Sequence, residues 1–194
     1  MLHNTNILVI INPEKDEQIA LDKAIRLSKG RGAKITAMVR EKHAVPKLLA
    51  TLDEKLEVAS KLGVFVSVKI SDDSDLFRAI MRTQHSSSYD LMIKEAHEPS
   101  LIDHVFLPDD WRLMRSSLMP MLLVHRDNEW QDGNVLLCVD ANSKDEEHRA
   151  LNQLILAAGD LLRQVGDMSL HLATAYPPAM QGVGVTTTLE QRET

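Results

Sequence analysis

Between Glu95 and His104 the chain sets Glu95, His97, Glu98, Asp103 and His104 within ten residues. Carboxylates and imidazoles are the ligands of zinc and other divalent ions. His97 and His104 stand seven apart, two turns if helical, but Pro99 between them favours a loop. The cluster is therefore read as a polar surface stretch, and no metal is predicted. Glu95 and Glu98 could act as a paired acid and base, as in glycoside hydrolysis. Only 4% of residues are aromatic, however, a poor supply for a sugar platform. Ser86–Ser88 beside His85 offers hydroxyls next to a base. No G-x-S-x-G elbow surrounds them, and they fall at the end of a predicted helix, so a terminating turn is expected. Cys138, between Leu137 and Val139, reads as a buried structural thiol. None of these groups makes a case for an enzyme.

These residues must be held by regular elements, and the apolar pattern supplies them. ILVII (7–11) is short, β-branched and bounded by polar residues, the mark of a strand buried on both faces. Asn12-Pro13 ends it. EKDEQIALDKAIRLSKG (14–30) places Ile19, Ala20, Ala24 and Leu27 on one helical face, with acids first and glycines last. KITAMVR (34–40) is a second strand, PKLLATLDEKLEVASKLG (46–63) a helix with Pro at its start, and VFVSVKI (64–70) a third strand. SDDSDLFRAIMRTQHSS (71–87) opens with capping residues and continues as a helix. YDLMIK (89–94) is the fourth strand, PDDWRLMRSS (108–117) a short helix and MPMLLVHR (119–126) the fifth strand. Such alternation predicts an α/β fold: a five-stranded parallel sheet with helices on both faces, Rossmann-like in layout. Trp111 is read first as a core residue, because Trp buries a large area. Packing over the crevice at the strand ends, or on a partner, is the alternative.

The pattern then restarts. NVLLCVD (134–140) mirrors NILVIIN (6–12) at an offset of 128, and a helix and the strand MSLHLATAY (168–176) follow. This internal duplication gives 1–126 as a complete domain, 127–133 (DNEWQDG) as a linker and 134–194 as a truncated second repeat. Two strands and one helix cannot close a core alone. The half-repeat is expected to lean on the first domain, to meet another copy, or to be what remains of a longer parent.

Bulk composition narrows the partners. The 194 residues carry a net charge of −6, which argues against nucleic acid and against an anionic membrane surface. A single cysteine excludes an intrachain disulfide and fits a reducing compartment. MLHNTNILVII has no basic n-region and a five-residue apolar run, so neither signal peptide nor membrane span is predicted, and the cytoplasm is the expected location.

The element order, the restart and the phrase YDLMIKEAH…PDDWRLMRSSLMPMLLV resemble the universal stress protein family, especially its tandem-domain E-type members. The likeness covers 5–126 as a whole unit and 134–176 as the start of a second. In nucleotide-binding members an Asp ends the first strand, and a loop of glycine, two residues, glycine, nine residues, Gly-Ser holds the phosphates of ATP. The resemblance puts these roles on Asn12, on Glu95 and Glu98, and on Pro108 and Asp109. Every one is altered. Glycine lets backbone approach phosphate and take φ > 0, which Glu does only at a cost. Pro108 removes a donor outright. A like-charge pair at about 4 Å costs roughly 4 kcal/mol at an effective dielectric near 20. Several such pairs outweigh the roughly −8 kcal/mol of micromolar binding. The first domain is therefore expected not to bind ATP or any other cofactor. An atypical or metal-bridged nucleotide site is the alternative. Asp140 keeps the family's strand-end Asp in the second copy, and is also the residue type that a strand-end turn or helix N-cap favours.

Family members commonly pair through the fifth strand. An apolar edge strand invites pairing. Met119–Val124 is therefore expected to join the same strand of a second chain, antiparallel, in a homodimer.

Overall fold

The computed structural model describes residues 5–97, 109–125, 130, 132–142 and 145–175. The chain divides into two compact units, Met1–Glu129 and Trp130–Thr194.

In the first unit β1 (Asn6–Ile10), α1 (Ile19–Ser28), β2 (Lys34–Arg40), α2 (Pro46–Lys61), β3 (Phe65–Ser71), α3 (Leu76–Ser86), β4 (Leu91–Glu95), α4 (Asp109–Ser116) and β5 (Met121–Val124) follow in order. The strands form one parallel sheet in the order β3-β2-β1-β4-β5. β1 lies in the middle, with Ile7 opposite both Ile35 and Leu91, and Ile7, Leu8 and Val9 are wholly buried. The β-branched, uninterrupted run of β1 is what a strand covered on both faces requires. One face carries a cluster of Leu8, Ile10, Met38 and Met92 against Ala79 and Ile80 of α3 and Leu113 of α4. The two-residue period of a strand turns Ile7, Val9 and Ile93 to the other face, where α1 packs along β1, β2 and β4.

Two local features of this unit differ from the sequence reading and a third agrees with it. The first helix starts at Ile19, not Glu14, because the buried Gln18 side chain holds the intervening residues as a loop. Trp111 is not a core residue: it is 53% exposed, while α4 turns Asp110 and Leu113 inward. Ser86 ends α3 as expected, its hydroxyl donating to the Thr83 carbonyl at 2.9 Å.

The second unit holds β6 (Asn134–Cys138), α5 (Glu146–Gly166) and β7 (Ser169–Ala173), with β6 and β7 parallel. Helix α5 lies so close to the sheet that a Cβ on Gly159 would stand 2.6 Å from the Leu137 side chain, which explains a glycine inside a 21-residue helix. Asp145 caps its start and Asp167, in the left-handed region, ends it. Leu137 is buried beneath the helix, but the alternate residues Leu136 and Leu172 are each 64% exposed. Cys138 is exposed too, against the expectation of a buried thiol. It alternates with Leu137, and so points away from the one face that α5 covers.

Among the described residues no helix is long and apolar enough to cross a membrane.

Candidate functional site

Strand order reverses between β1 and β4, since β1 leads to β2 on one side and β4 to β5 on the other. At such a switch point the strand ends part, and a crevice forms outside them. Here it has a volume of about 400 Å³ and is lined by Ile10, Asn12, Lys15, Arg40, Glu95 and His97, among others.

Asn12 follows β1, and its side-chain oxygen accepts from the Glu14 N–H at 3.1 Å, an Asx turn that reverses the chain. Gln18 fixes the same turn from within. Its Oε1 accepts from the Asn12 N–H at 3.2 Å, and its Nε2 donates to the carbonyls of Asn12 at 2.8 Å and Lys15 at 2.6 Å. The turn in this way brings Asn12 and Lys15 over the end of β4.

There they meet Glu95. Asn12 Nδ2 donates to Glu95 Oε2 at 2.9 Å, and Lys15 Nζ lies 2.7 Å from Oε1. Only 6% of the Glu95 side chain is exposed. Both carboxylate oxygens are therefore engaged, and Glu95 does not stand bare toward a ligand. A second pair lies beside it. Lys94 Nζ is 2.8 Å from Asp110 Oδ1 and donates to the Glu95 carbonyl at 2.7 Å. Asp110 Oδ2 accepts from the His97 N–H at 2.7 Å. A buried charge persists when it is paired, and both carboxylates are: Glu95 is hydrogen-bonded through both oxygens, whereas Asp110 Oδ1 has the Lys94 ammonium within ion-pair distance but no hydrogen bond of good geometry. Asp110 thereby ties the chain leaving β4 to the first turn of α4, where an acid also suits the helix dipole.

Of the residues singled out from the sequence, Asn12 and Glu95 meet directly. Asp109 opens α4 at the surface and pairs with Arg112 at 3.0 Å. Glu98, Asp103, His104 and Pro108 lie outside the described residues. Among the described residues no group of three or more His, Cys, Asp or Glu could hold a metal ion. Asp140 repeats the turn of Asn12: its Oδ1 accepts from the Asn142 N–H at 3.1 Å. The sequence reading missed Lys15, Gln18, Lys94 and Asp110. Lys94 gave some signal, as a lysine closing an apolar strand. Gln18 gave none, because nothing in its neighbours marks a buried amide.

No family model matches the chain. It is 29% identical to universal stress protein E of Escherichia coli K12 over 195 aligned positions, covering 89% of this chain and 61% of that one. It is 28% identical to the universal stress protein E homolog of Haemophilus influenzae, covering 90% and 65%. The crystal structure of a putative universal stress protein from Pseudomonas aeruginosa UCBPP-PA14 superposes with a TM-score of 0.78 at 27% identity, covering 90% of this chain and 63% of that one. In sequence and in fold the chain is thus similar to universal stress proteins of the E type. It spans about three-fifths of the length of the curated relatives it matches first. The strand order gives the crevice its place between β1 and β4. Within that frame, the position that the sequence resemblance gives to the loop's first glycine holds Glu95, clamped by Asn12 and Lys15.

Proposed function

We propose that this chain is a non-catalytic stress-response protein of the universal stress protein type, whose first unit does not bind ATP. It acts in the cytoplasm through protein contacts or through a non-nucleotide ligand in the β1–β4 crevice. The observation that carries this reading is the buried Glu95 carboxylate. A side chain fills the place where polyphosphate would need close backbone approach, and its charge is already balanced by Lys15. Displacing the carboxylate would leave Asn12 and Lys15 to be satisfied anew, while the acid itself would face phosphate. The altered Glu98, Pro108 and Asp109 point the same way by their chemistry.

One feature favours a second reading, a nucleotide regulator with an atypical site. Arg40 and Lys15 line the crevice on the β2 side, and among the described residues Arg40 has the Ser74 carbonyl at 2.8 Å but no carboxylate within ion-pair distance. An anionic group could enter there. Isothermal titration with ATP, with and without magnesium, separates the two. No binding up to millimolar ATP supports the first reading, and micromolar binding at one per chain overturns it.

The second unit is read as a partial second repeat, with Asp140 serving its turn. The chain is read as a homodimer joined antiparallel through Met119–Val124, whose β5 forms one edge of the sheet. Sedimentation at several concentrations tests the dimer, and a concentration-independent monomer would overturn it.

A further inference from the structure

Arg40 closes β2, just before the short turn Glu41–His43, and its side chain lines the crevice from the β2 side. Its guanidinium donates to the Ser74 carbonyl at 2.8 Å, which fixes the plane of the fork. Among the described residues its remaining donors meet no other acceptor. The other two cations that line the crevice are engaged with carboxylates, Lys15 with Glu95 and Lys94 with Asp110. The corner at Arg40 is positive on balance. Burial first, then the charges of Arg40 and Lys42, hold the His43 pKa low there, against the Glu14 carboxylate. The walls beside the guanidinium are apolar. A recess of about 30 Å³ adjoins the crevice, and the two share Ile10, Ile11, Pro13, Leu76 and Arg40 itself. One water needs about 10–15 Å³ of such space, so the recess admits a group of one or two heavy atoms.

We propose that the crevice binds a monoanionic organic carboxylate, its carboxylate forked onto Arg40 and a compact apolar body set against Ile10, Ile11 and Leu76. This rests on the reading above of a crevice that takes a ligand other than nucleotide, and names the class of that ligand. A planar guanidinium matches a carboxylate through two parallel N–H···O bonds, and one already fixed by Ser74 loses less freedom on binding. Small-molecule pockets run from about 300 Å³ upward, so a crevice of about 400 Å³ suits a small acid. The charges select a single anion. Arg40 is, among the described lining residues, the cation without a carboxylate partner. A phosphate ester carries about −1.5 to −2 at neutral pH, and would face Glu14 and Glu95 as well. The walls select the rest of the ligand. A bare inorganic anion would leave Ile10, Ile11 and Leu76 against water, whereas an apolar body gains by covering them.

The test titrates the full chain by isothermal calorimetry with benzoate and hexanoate, and with benzamide, acetate, inorganic phosphate and ATP for comparison. Benzoate or hexanoate should bind at one per chain, at about a millimolar or tighter. Benzamide lacks the charge and acetate lacks the body, so each should bind at least about tenfold more weakly. Arg40→Gln removes the fork, and Arg40→Lys keeps the charge without it. Each should weaken binding of the acid about tenfold or more, with folding checked by circular dichroism. Arg40→Lys carries the test alone if Arg40→Gln fails to fold. The His43 ring resonances should also move on saturation, since that ring lines the adjoining recess. If neither acid binds, or if Arg40→Lys binds as the native chain does, the inference fails. With ATP also silent, the nucleotide-free reading then still stands. Acetate or phosphate binding as tightly as the larger acids marks an adventitious ion only, and overturns the inference in the same way. Micromolar ATP binding at one per chain overturns the nucleotide-free reading, and this inference with it.

Discussion

β1 and β6 are nearly the same strand in two settings. Ile7, Leu8, Val9 and Ile10 correspond to Val135, Leu136, Leu137 and Cys138 at the offset of 128. β1 has a neighbour on each edge, β2 and β4, and helices on both faces. Among the described residues β6 has one neighbour, β7, and its covering helix is α5. Leu8 is wholly buried and Leu136 is 64% exposed. Local chemistry is nevertheless kept. Asn12 and Asp140 each accept from the N–H two residues on, both at 3.1 Å. Each is also clamped by an amide side chain, Gln18 to the N–H and carbonyl of Asn12, Asn152 to those of Asp140. The clamps come from different places in the chain, one from the loop before α1 and one from within α5. The comparison teaches that strand composition and turn chemistry set the local path, whereas burial depends on the strands and helices that arrive later.

The widest contrast should appear in thiol labelling. Cys138 should react with a small disulfide reagent in the native protein. A cysteine placed by Ile10→Cys, with Cys138→Ser, should react only through opening of the first unit, slower by about a thousand-fold or more, as core sites open rarely. Equal rates would break the comparison by showing that Cys138 is covered in solution.

Next in size come truncations. Leu8→Ala should cost about 3 kcal/mol in urea unfolding, since it leaves a cavity in a packed cluster. Leu136→Ala should stay within about 0.5 kcal/mol, as exposed substitutions do. A loss above 2 kcal/mol at Leu136 would mean that this face is packed against something.

The two clamps sharpen the comparison further. Gln18 is 2% exposed and its loss strands buried backbone groups, so Gln18→Ala should cost about 2 kcal/mol. Asn152→Ala, where water can replace the amide, should cost about 0.5–1 kcal/mol. Hydrogen exchange at the N–H of residues 12 and 140 reads the two sites separately, and a larger effect at Asp140 would reverse the expected order.

The contrast between β1 and β6 explains what was legible. Each strand and helix of the first unit has a sequence period of its own, and those periods do not depend on the rest of the chain. Parallel order followed from the alternation, and Asp75 capping α3 followed from its residue type. Burial did not follow in the second unit: Cys138 reads as a buried thiol from its apolar neighbours, yet among the described residues nothing covers the face it shares with Leu136. Trp111 misled for a related reason: its size argues for burial, but its phase on α4 opposes Leu113. At the crevice, the substitutions at Asn12 and Glu95 were visible as types, but their meeting was not. It depends on the turn that Gln18 clamps, which carries Asn12 and Lys15 to Glu95, contacts between residues some eighty apart in the chain.

The smallest expected effect is on acid stability, and it separates the units by pH window. His43 lies in the short turn after β2, where burial first, then the positive charges of Arg40 and Lys42, hold its pKa below the ordinary 6.5, with Glu14 opposing. The folded state therefore binds a proton less readily than the unfolded chain. Its contribution is fully present above pH 6.5 and is lost as pH falls through the lowered value. In the second unit Asp160 is held below its ordinary 3.8, chiefly by the hydrogen bond from Arg163, whose Nη2 stands at 2.8 Å. That contribution persists until pH falls below 3.8 and on through the lowered value. The first unit should thus lose the His43 contribution as pH falls below 6.5, while the second keeps this interaction until strongly acidic conditions. His43→Gln should flatten the slope of stability between pH 7 and 5, and Asp160→Asn should leave that range unchanged. A ring titration of His43 by nuclear magnetic resonance with a midpoint at or above 6.5 would reverse the sign, and with it the assignment of the earlier acid transition to the first unit.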